Sequence, residues 1–354
     1  MKHLSLLVAG LLMTQPVSAL TVSIDYSLDS SGFFSTNLAA RAALEQAAAD
    51  VSSAITTQLG ALSPSTLSFT GTNGSTTATV DWGLSFTNPT TGAAHSFTNF
   101  TSAAGEFKVF AGARALADST LGLGGSLGAG FSLGASGFGS EWTGAMAAVQ
   151  TASNSVMTRG GGPVIGRFVQ AAPFDGSSAS YSLSYGAVGG VLTFDNDADN
   201  NGSADADLSG YWHFDHTTTV GDGLNDFYSV ALHEIVHSLG FGGGISWNEA
   251  HTGTTWLGAA GIAEKGNGQD LVDAGSLAHV ASGVESKTLD GTTQEAVMGP
   301  SLTTGTRKFL TELDLAMLED IGYEVAAVPE PATSVLFAGV GALGLGLMRR
   351  RRRG

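Results

Sequence analysis

Residues 233–241 read HEIVHSLGF, and this stretch decides how the rest of the chain is interpreted. In a helix, residues four positions apart lie one turn apart on the same face, so the imidazoles of His233 and His237 can reach one zinc ion. The carboxylate of Glu234 lies beside the first of them, where it can take a proton from a metal-activated water. The stretch therefore predicts a zinc site with Glu234 as the catalytic base.

The sequence around the motif favours the helix that the motif requires. Asn225 or Asp226 can cap the start of this helix, and Gly240 allows a left-handed turn where it ends. Between them, apolar residues recur at roughly helical spacing: Phe227, Val230, Ala231, Ile235, Val236 and Leu239. The alternative is a chance match with two ordinary polar histidines, and the helical context argues against it.

The residues alone leave the third zinc ligand open. A catalytic zinc ion takes three protein ligands and keeps one position for water or substrate. Only two histidines, His251 and His279, follow the motif, and the chain has no cysteine. The carboxylates of Glu249, Asp270 and Asp273 are the oxygen alternatives.

The motif and its surroundings resemble the metzincin class of zinc proteases, and within it the leishmanolysin-like branch. The commonest metzincin pattern has its third histidine six residues after the second, a position that Gly243 occupies here. The leishmanolysin-like branch instead has HExxHxxGF, a long insertion, a distant third histidine and a methionine-containing turn. In this chain residues 296–300 read AVMGP and resemble that turn. The resemblance implies that His279 is the third ligand, with His251 as the alternative, and that Met298 packs beneath the metal.

The order of the remaining segments indicates an α+β protein. Strand patterns cover 21–28, 77–86, 107–116, 162–170 and 186–194, helix patterns cover 36–55 and 309–321, and the Gly/Ser/Leu-rich segment 121–139 is predicted as an irregular loop. The resemblance implies a metzincin-like zinc protease fold in one metalloprotease domain, 20–326. Its upper part, 20–240, would hold a twisted mixed sheet, a long helix and the HExxH helix. Its lower part, 241–326, would be an irregular C-terminal subdomain that ends in a helix.

The function implied by the resemblance is that of a secreted zinc-dependent endopeptidase acting on a protein or peptide substrate. The substrate is expected to lie extended along a sheet edge, and the strand Val188–Phe194 is the predicted edge. The alternative is a non-catalytic extracellular matrix or surface protein that retains the fold, which the Gly/Ser/Ala-rich composition and Gly243 favour. The intact Glu234 favours the enzyme, because this residue is not a metal ligand.

A second metal-binding motif lies upstream of the first. Residues 197–202 read DADNNG and match D-x-D-x-N-G, the opening of a calcium loop. The predicted Ca²⁺ ligands are Asp197, Asp199, Asn201 and, at the ninth position, Asp205. Leu208 occupies position twelve, where a bidentate Glu is expected, so a solvated acidic turn is the competing interpretation.

Both ends of the chain carry export signals. A basic start, the apolar run Leu4–Met13 and a small-residue cleavage site ending at Ala19 predict a signal peptide over 1–19. Residues 328–354 contain a Pro-Glu-Pro triplet, an apolar transmembrane stretch at 332–348 and an arginine cluster, and they resemble the PEP-CTERM sorting signal of Gram-negative bacteria. The resemblance implies transient membrane anchoring through this tail and cleavage by an exosortase-type enzyme. The protein would then be secreted, or held at the cell surface or in the extracellular matrix.

The composition limits the classes of partner. The chain has 31 Asp plus Glu against 15 Lys plus Arg, a net charge of −16. Such an acidic protein repels nucleic acid, so no nucleic-acid partner is expected. Without cysteines there are no disulfides or thiolate ligands, and the fold depends on its hydrophobic core.

Overall fold

A computed structural model describes residues 19–63, 65–71, 74–136, 154, 156–172 and 179–326. The predicted sorting tail and, apart from Ala19, the predicted signal peptide lie outside the described residues. The described part is a mixed α+β protein with several small sheets and few helices. Within this part no helix combines the length and apolar character that crossing a membrane requires. The predicted stretch 332–348 lies outside it.

The secondary-structure elements of the described part are short, apart from one long helix and one long strand. The helices are α1 (Phe33–Thr36), α2 (Leu38–Ala54), α3 (Phe227–Ser238), α4 (Gly244–Glu249), α5 (Ala259–Lys265) and α6 (Glu312–Asp320). The strands are β1 (Thr21–Asp25), β2 (Ser65–Gly71), β3 (Gly74–Thr87), β4 (Ala94–Thr98), β5 (Glu106–Arg114), β6 (Gly122–Ser126), β7 (Gly128–Ser136), β8 (Val164–Ala172), β9 (Ala179–Gly186), β10 (Gly190–Asp195), β11 (Trp212–His213), β12 (Asn225–Asp226), β13 (His251–Thr252), β14 (Thr255–Trp256), β15 (Glu285–Lys287) and β16 (Thr293–Glu295).

The central sheet has the strand order β1–β5–β10–β6. Strands β1, β5 and β10 are parallel, and β6 runs antiparallel to β10. Helix α2 packs on β1, and helix α3 packs on β6 and β10. The two helices also contact each other, so they lie side by side on one face of the sheet. Phe107, Val109 and Ala111 of β5 belong to the main core with these helices, whereas Phe110 belongs to a second core with Leu84. Strand β5 is therefore buried on both faces, as expected for the middle of a parallel sheet.

Helix α2 is the long helix that the pattern over 36–55 predicts. Asn37 caps its start, because its side-chain oxygen accepts a hydrogen bond from the N–H of Ala40 at 3.0 Å. Its buried face consists mostly of small residues: Ala40, Ala43, Leu44, Ala47, Ala48, Val51 and Ala54. The small side chains allow α3 to pack closely against it.

The prediction of an irregular loop over 121–139 is wrong for its described part. This segment forms β6 at the edge of the central sheet and β7, which pairs with β3 in a second sheet together with β2 and β4. Two glycines of β6, Gly122 and Gly124, are required by packing, since α3 lies directly on this strand. A Cβ at Gly122 would lie 2.8 Å from Oε1 of Glu234, and a Cβ at Gly124 would overlap the carbonyl group of the same residue.

The prediction that Val188–Phe194 forms the sheet edge is also wrong. Strand β10 begins at Gly190 and lies between β5 and β6, so both of its edges are paired. Near α3 the free edge belongs to β6. Because Leu127 donates to Gly189 and Asp195 donates to Leu121, the odd-numbered residues of β6 face β10. The backbone groups of Gly122, Gly124 and Ser126 therefore point away from the sheet.

Residues 241–326 contain short elements and end in a helix, as predicted. Helices α4 and α5 alternate with the hairpins β13–β14 and β15–β16 before α6 closes the described part. Helix α6 begins with a capping box, in which Thr311 and Asp314 exchange hydrogen bonds between side chain and backbone.

The two ends of the described part meet at Thr57. The N–H of Leu20 donates to the carbonyl of Thr57 at 3.0 Å. The N–H of Glu324 donates to its hydroxyl at 2.6 Å. Next to this contact, Val325 forms a bridge with Ile55. The residue before β1 and the residues after α6 are thus fastened to the same segment after α2.

Candidate metal centre

Helix α3 is held firmly at its N-terminus. Asp226 caps the helix, accepting hydrogen bonds from the N–H of Ser229 at 3.0 Å and from its hydroxyl at 2.7 Å. Arg307 binds the same buried carboxylate through two nitrogens, with a shortest distance of 2.7 Å. A bidentate, buried pair of this kind fixes orientation as well as charge. The cap predicted at Asn225 or Asp226 is therefore Asp226.

Three histidines converge beside this helix. The Nε2 atom of His237 lies 2.9 Å from Nε2 of His233 and 3.1 Å from Nε2 of His279. His233 and His237 come from successive turns of α3, and His279 comes from the loop before β15. Among the described residues these three form one of two groups with a spacing suited to a metal ion.

The outer nitrogens of the histidines show which inner atoms are free to bind a cation. Nδ1 of His233 faces the carbonyl of Val297 at 2.8 Å, and Nδ1 of His237 faces the carbonyl of Phe241 at 2.9 Å. Carbonyls only accept, so both Nδ1 atoms carry the proton and a neutral ring presents a bare Nε2. Bare nitrogens repel one another at such distances unless a cation lies between them. The donor set fits Zn²⁺, whose bonds of about 2.0–2.1 Å place tetrahedral nitrogen ligands about 3.3 Å apart.

The environment also keeps these imidazoles neutral, which metal binding requires. Burial, followed by the neighbouring His237, lowers the pKa of His233 well below its usual value. Burial lowers the pKa of His237 to about 4. It also lowers the pKa of His279.

The side chain of Glu234 extends from α3 to the edge strand β6. Its side chain is buried, and burial raises the pKa of its carboxyl to about 8, while a hydrogen bond from the backbone N–H of Gly124 acts in the opposite direction. The close approach depends on Gly122 and Gly124, because a Cβ at either position would overlap Glu234. The glycines of β6 thus place an outward-facing backbone N–H beside the carboxyl group.

The turn that contains Met298 accepts a hydrogen bond from His233. Met298 is fully buried in the main core. The carbonyl of the preceding residue, Val297, accepts from His233, and the N–H groups of both residues donate to Asp314 at 3.1 and 3.2 Å. Met298 therefore follows directly after the residue that accepts from His233, and its position beneath a metal ion stays a prediction.

The other ligand candidates are not part of the histidine cluster. His251 pairs with Trp256 in the hairpin β13–β14, and its Nδ1 faces the carbonyl of Gly253 at 3.1 Å. Asp270 accepts from Thr254. Neither these residues nor Glu249 and Asp273 belong to the group that the structure brings together around His233.

The histidines open into a cleft of about 920 Å³. One wall is β6, and the other includes residues 242–244 and 299–302. Gly243, which stands where the short metzincin pattern has a histidine, has extended backbone, and a Cβ built on it would meet no atom within 4 Å. Lys308 also borders the cleft, but its ammonium is bound to Glu295 at 2.7 Å.

The acidic loop upstream forms the second group. Carboxylate oxygens of Asp197, Asp199 and Asp205 all lie within 4.8 Å of one another. Asp197 accepts from the N–H groups of Asn201 and Gly202, and the side-chain oxygen of Asn201 accepts from Ser203. The loop is therefore folded around Asp197, with three of its four predicted ligands together.

Comparison with known proteins identifies the C-terminal segment. Residues 327–353 match the PEP-CTERM protein-sorting motif, close to the predicted 328–354. This motif marks proteins that Gram-negative bacteria export and that an exosortase-type enzyme processes for a surface or extracellular location. No curated protein matches the chain. No solved structure matches it either.

Proposed function

We propose that the protein is a secreted zinc-dependent endopeptidase with a metzincin-like fold. The observation that carries this proposal is the convergence of three histidine Nε2 atoms, 2.9 and 3.1 Å from one another, in a cleft that also contains Glu234. Two of the histidines and Glu234 come from one HExxH helix. The match at the sorting tail supports an extracellular place of action.

His233, His237 and His279 would hold the metal. When bound, Zn²⁺ supplies Lewis-acid chemistry: it polarises a scissile carbonyl and lowers the pKa of a water molecule. Glu234 accepts the proton of the attacking water and passes it to the leaving amine. In the metal-free protein burial raises the pKa of this carboxyl to about 8. The positive charge of a bound Zn²⁺ would lower it, which favours the carboxylate form that accepts a proton.

The edge strand β6 is the proposed platform for the substrate. The backbone groups of Gly122 and Ser126 point away from the sheet towards the cleft, so an extended peptide can add as a further strand. The scissile bond of such a peptide would lie beside Glu234, which packs on the same strand.

The test compares the full chain with three variants in zinc content and casein hydrolysis. We expect one zinc per chain in the wild type, and we expect Glu234→Gln to retain zinc while hydrolysis falls about 100-fold or more. His279→Ala should lose both bound zinc and casein hydrolysis. His251→Ala is the matched control, since this histidine lies outside the cluster, and it should behave like the wild type.

Two results would contradict the proposal. Wild-type zinc binding without hydrolysis of casein or of a mixed peptide library would favour the non-catalytic matrix or surface protein. Loss of zinc in His251→Ala, but not in His279→Ala, would show that the ligand set is wrong.

A further inference from the structure

His279 differs from the other two histidines in what holds its outer nitrogen. Nδ1 of His233 and of His237 faces a backbone carbonyl, whereas Nδ1 of His279 faces the hydroxyl of Ser276 at 2.8 Å. A carbonyl can only accept, but a hydroxyl can either donate or accept. Contact with Ser276 alone would therefore leave open which nitrogen of His279 carries the proton.

Asp273 removes this ambiguity. Its Oδ2 accepts from the hydroxyl of Ser276 at 3.2 Å and from the N–H groups of Gly275 and Ser276, both at 3.0 Å. An ionised carboxylate cannot donate, so the hydroxyl hydrogen points to Asp273 and its lone pair faces His279. Nδ1 of His279 then carries the proton, and Nε2 faces the other two histidines as a bare donor.

The loop that carries this chain of contacts is closed upon itself. The backbone N–H of Asp273 donates to the carbonyl of His279 at 2.9 Å, so the two ends of the segment are joined. The indole N–H of Trp247 donates to the carbonyl of Leu277 at 2.9 Å, and Leu277 has a left-handed φ of 56°. A leucine rarely adopts this conformation, so the surrounding contacts hold the loop in a defined shape.

We propose that Asp273 and Ser276 are positioning residues for His279. They form a carboxylate–hydroxyl–imidazole relay that fixes the tautomer and orientation of the third metal ligand. The carbonyls of Val297 and Phe241 fix the proton on Nδ1 of the two histidines of α3, and the relay fixes it on Nδ1 of His279. This inference rests on the zinc site of the proposed function.

Zinc affinity of the full chain, measured by competition with a chelator, tests the relay. Ser276→Ala removes the hydroxyl, and Ser276→Thr restores one. Asp273→Asn keeps a side-chain oxygen for the turn but loses the charge. Asp270→Asn is the matched control, because Asp270 is an acidic residue three positions away that binds only Thr254 among these contacts. The absorption spectrum of the Co²⁺-substituted protein reports ligand geometry independently of hydrolysis.

We expect Ser276→Ala to weaken zinc binding about 10- to 100-fold and to change the Co²⁺ spectrum. Asp273→Asn should weaken binding less, while Ser276→Thr and Asp270→Asn should remain close to the wild type. Zinc affinity within twofold of the wild type in both Ser276→Ala and Asp273→Asn would overturn the relay. A wild type that binds zinc tightly without hydrolysing protein would contradict the proposed protease and leave the relay intact. A wild type that binds no zinc would overturn both.

Discussion

Asp314 and Val297 link helix α6 to the histidine cluster. The buried carboxylate of Asp314 accepts a hydrogen bond from the N–H of Val297 at 3.1 Å, and the carbonyl of Val297 accepts from His233 at 2.8 Å. The same carboxylate accepts from Met298 and, within the capping box of α6, from Thr311. The carboxylate of Asp314 thus stabilises the start of α6, the turn at Val297 and Met298, and the carbonyl that accepts from His233.

Replacement of Asp314 should affect stability and metal binding together. Asp314→Ala leaves several buried donors without an acceptor, so we expect the free energy of unfolding to fall by about 3 kcal/mol. Zinc affinity should fall as well, because the turn that orients His233 loses its anchor. Urea unfolding and chelator competition measure the two effects. Glu312→Ala, in the first turn of the same helix, is the control. A change in Asp314→Ala no larger than in this control would contradict the prediction.

The glycines of β6 can be tested one at a time. A Cβ at Gly122 would meet the carboxyl group of Glu234 at 2.8 Å, whereas a Cβ at Gly125 would meet no atom within 4 Å. If the proposed function holds, Gly122→Ala should displace the carboxyl of Glu234 and lower kcat about 10- to 100-fold while zinc is retained. Gly125→Ala should leave kcat unchanged. Equal effects of the two substitutions would show that the strand, and not the contact with Glu234, determines activity.

The metal-free protein should be sensitive to acid. Burial lowers the pKa of His237 to about 4 from an ordinary value of 6.5. Between these values the unfolded chain binds more protons than the folded protein, so stability falls as the pH decreases from about 6.5 to about 4. Glu234 acts in the opposite direction, because its pKa is raised from 4.5 to about 8 and its burial costs stability as the pH rises through this range.

Glu234→Gln isolates the contribution of the histidines. Urea unfolding of this metal-free variant should show stability rising from pH 4 to pH 6.5, and adding His237→Gln should reduce that slope. A slope that is unaffected by His237→Gln would refute the assignment. Zinc affinity should decrease as the pH is lowered towards about 4, since protons then compete for the same nitrogen atoms.

The acidic loop gives a prediction for calcium. Carboxylates of Asp197, Asp199 and Asp205 lie within 4.8 Å of one another, so a bound Ca²⁺ would relieve their mutual repulsion. Added Ca²⁺ should raise the melting temperature of the wild type, and Asp199→Ser should abolish this increase. Asp207→Asn, an acidic neighbour outside the cluster, should respond like the wild type. A melting temperature that Ca²⁺ leaves unchanged would identify the loop as a solvated turn.

The parts of the site that the sequence could predict are those that depend on local spacing. The spacing of His233 and His237 follows from helical geometry, and Asp226 is an ordinary helix cap. The order of residues in the resembling family pointed to His279, which the structure places with the other two histidines. The helix pattern over 309–321 predicted α6, but the capping box of Thr311 and Asp314 and its link to Val297 came only from the structure.

The parts that the sequence could not predict depend on contacts between distant segments. Gly122 and Gly124 have low strand propensity, and only the packing of α3 on β6 shows why glycine is needed there. The position of β10 inside the sheet follows from its pairing with β6, so a wrong assignment of β6 also misplaced the edge. The relay from Asp273 depends on a loop that is closed between Asp273 and His279 and held by Trp247, for which the sequence contains no pattern.

Since Thr57 binds both Leu20 and Glu324, any segment that precedes or follows this domain must leave it at the same point. If the domain were attached to a surface through either end, it would be held at the same point and would turn the same side towards that surface. A short linker between the two ends would close the backbone into a ring. The ring could then be reopened in an exposed turn, giving a circular permutant in which helix α3 and strand β6 keep their contacts.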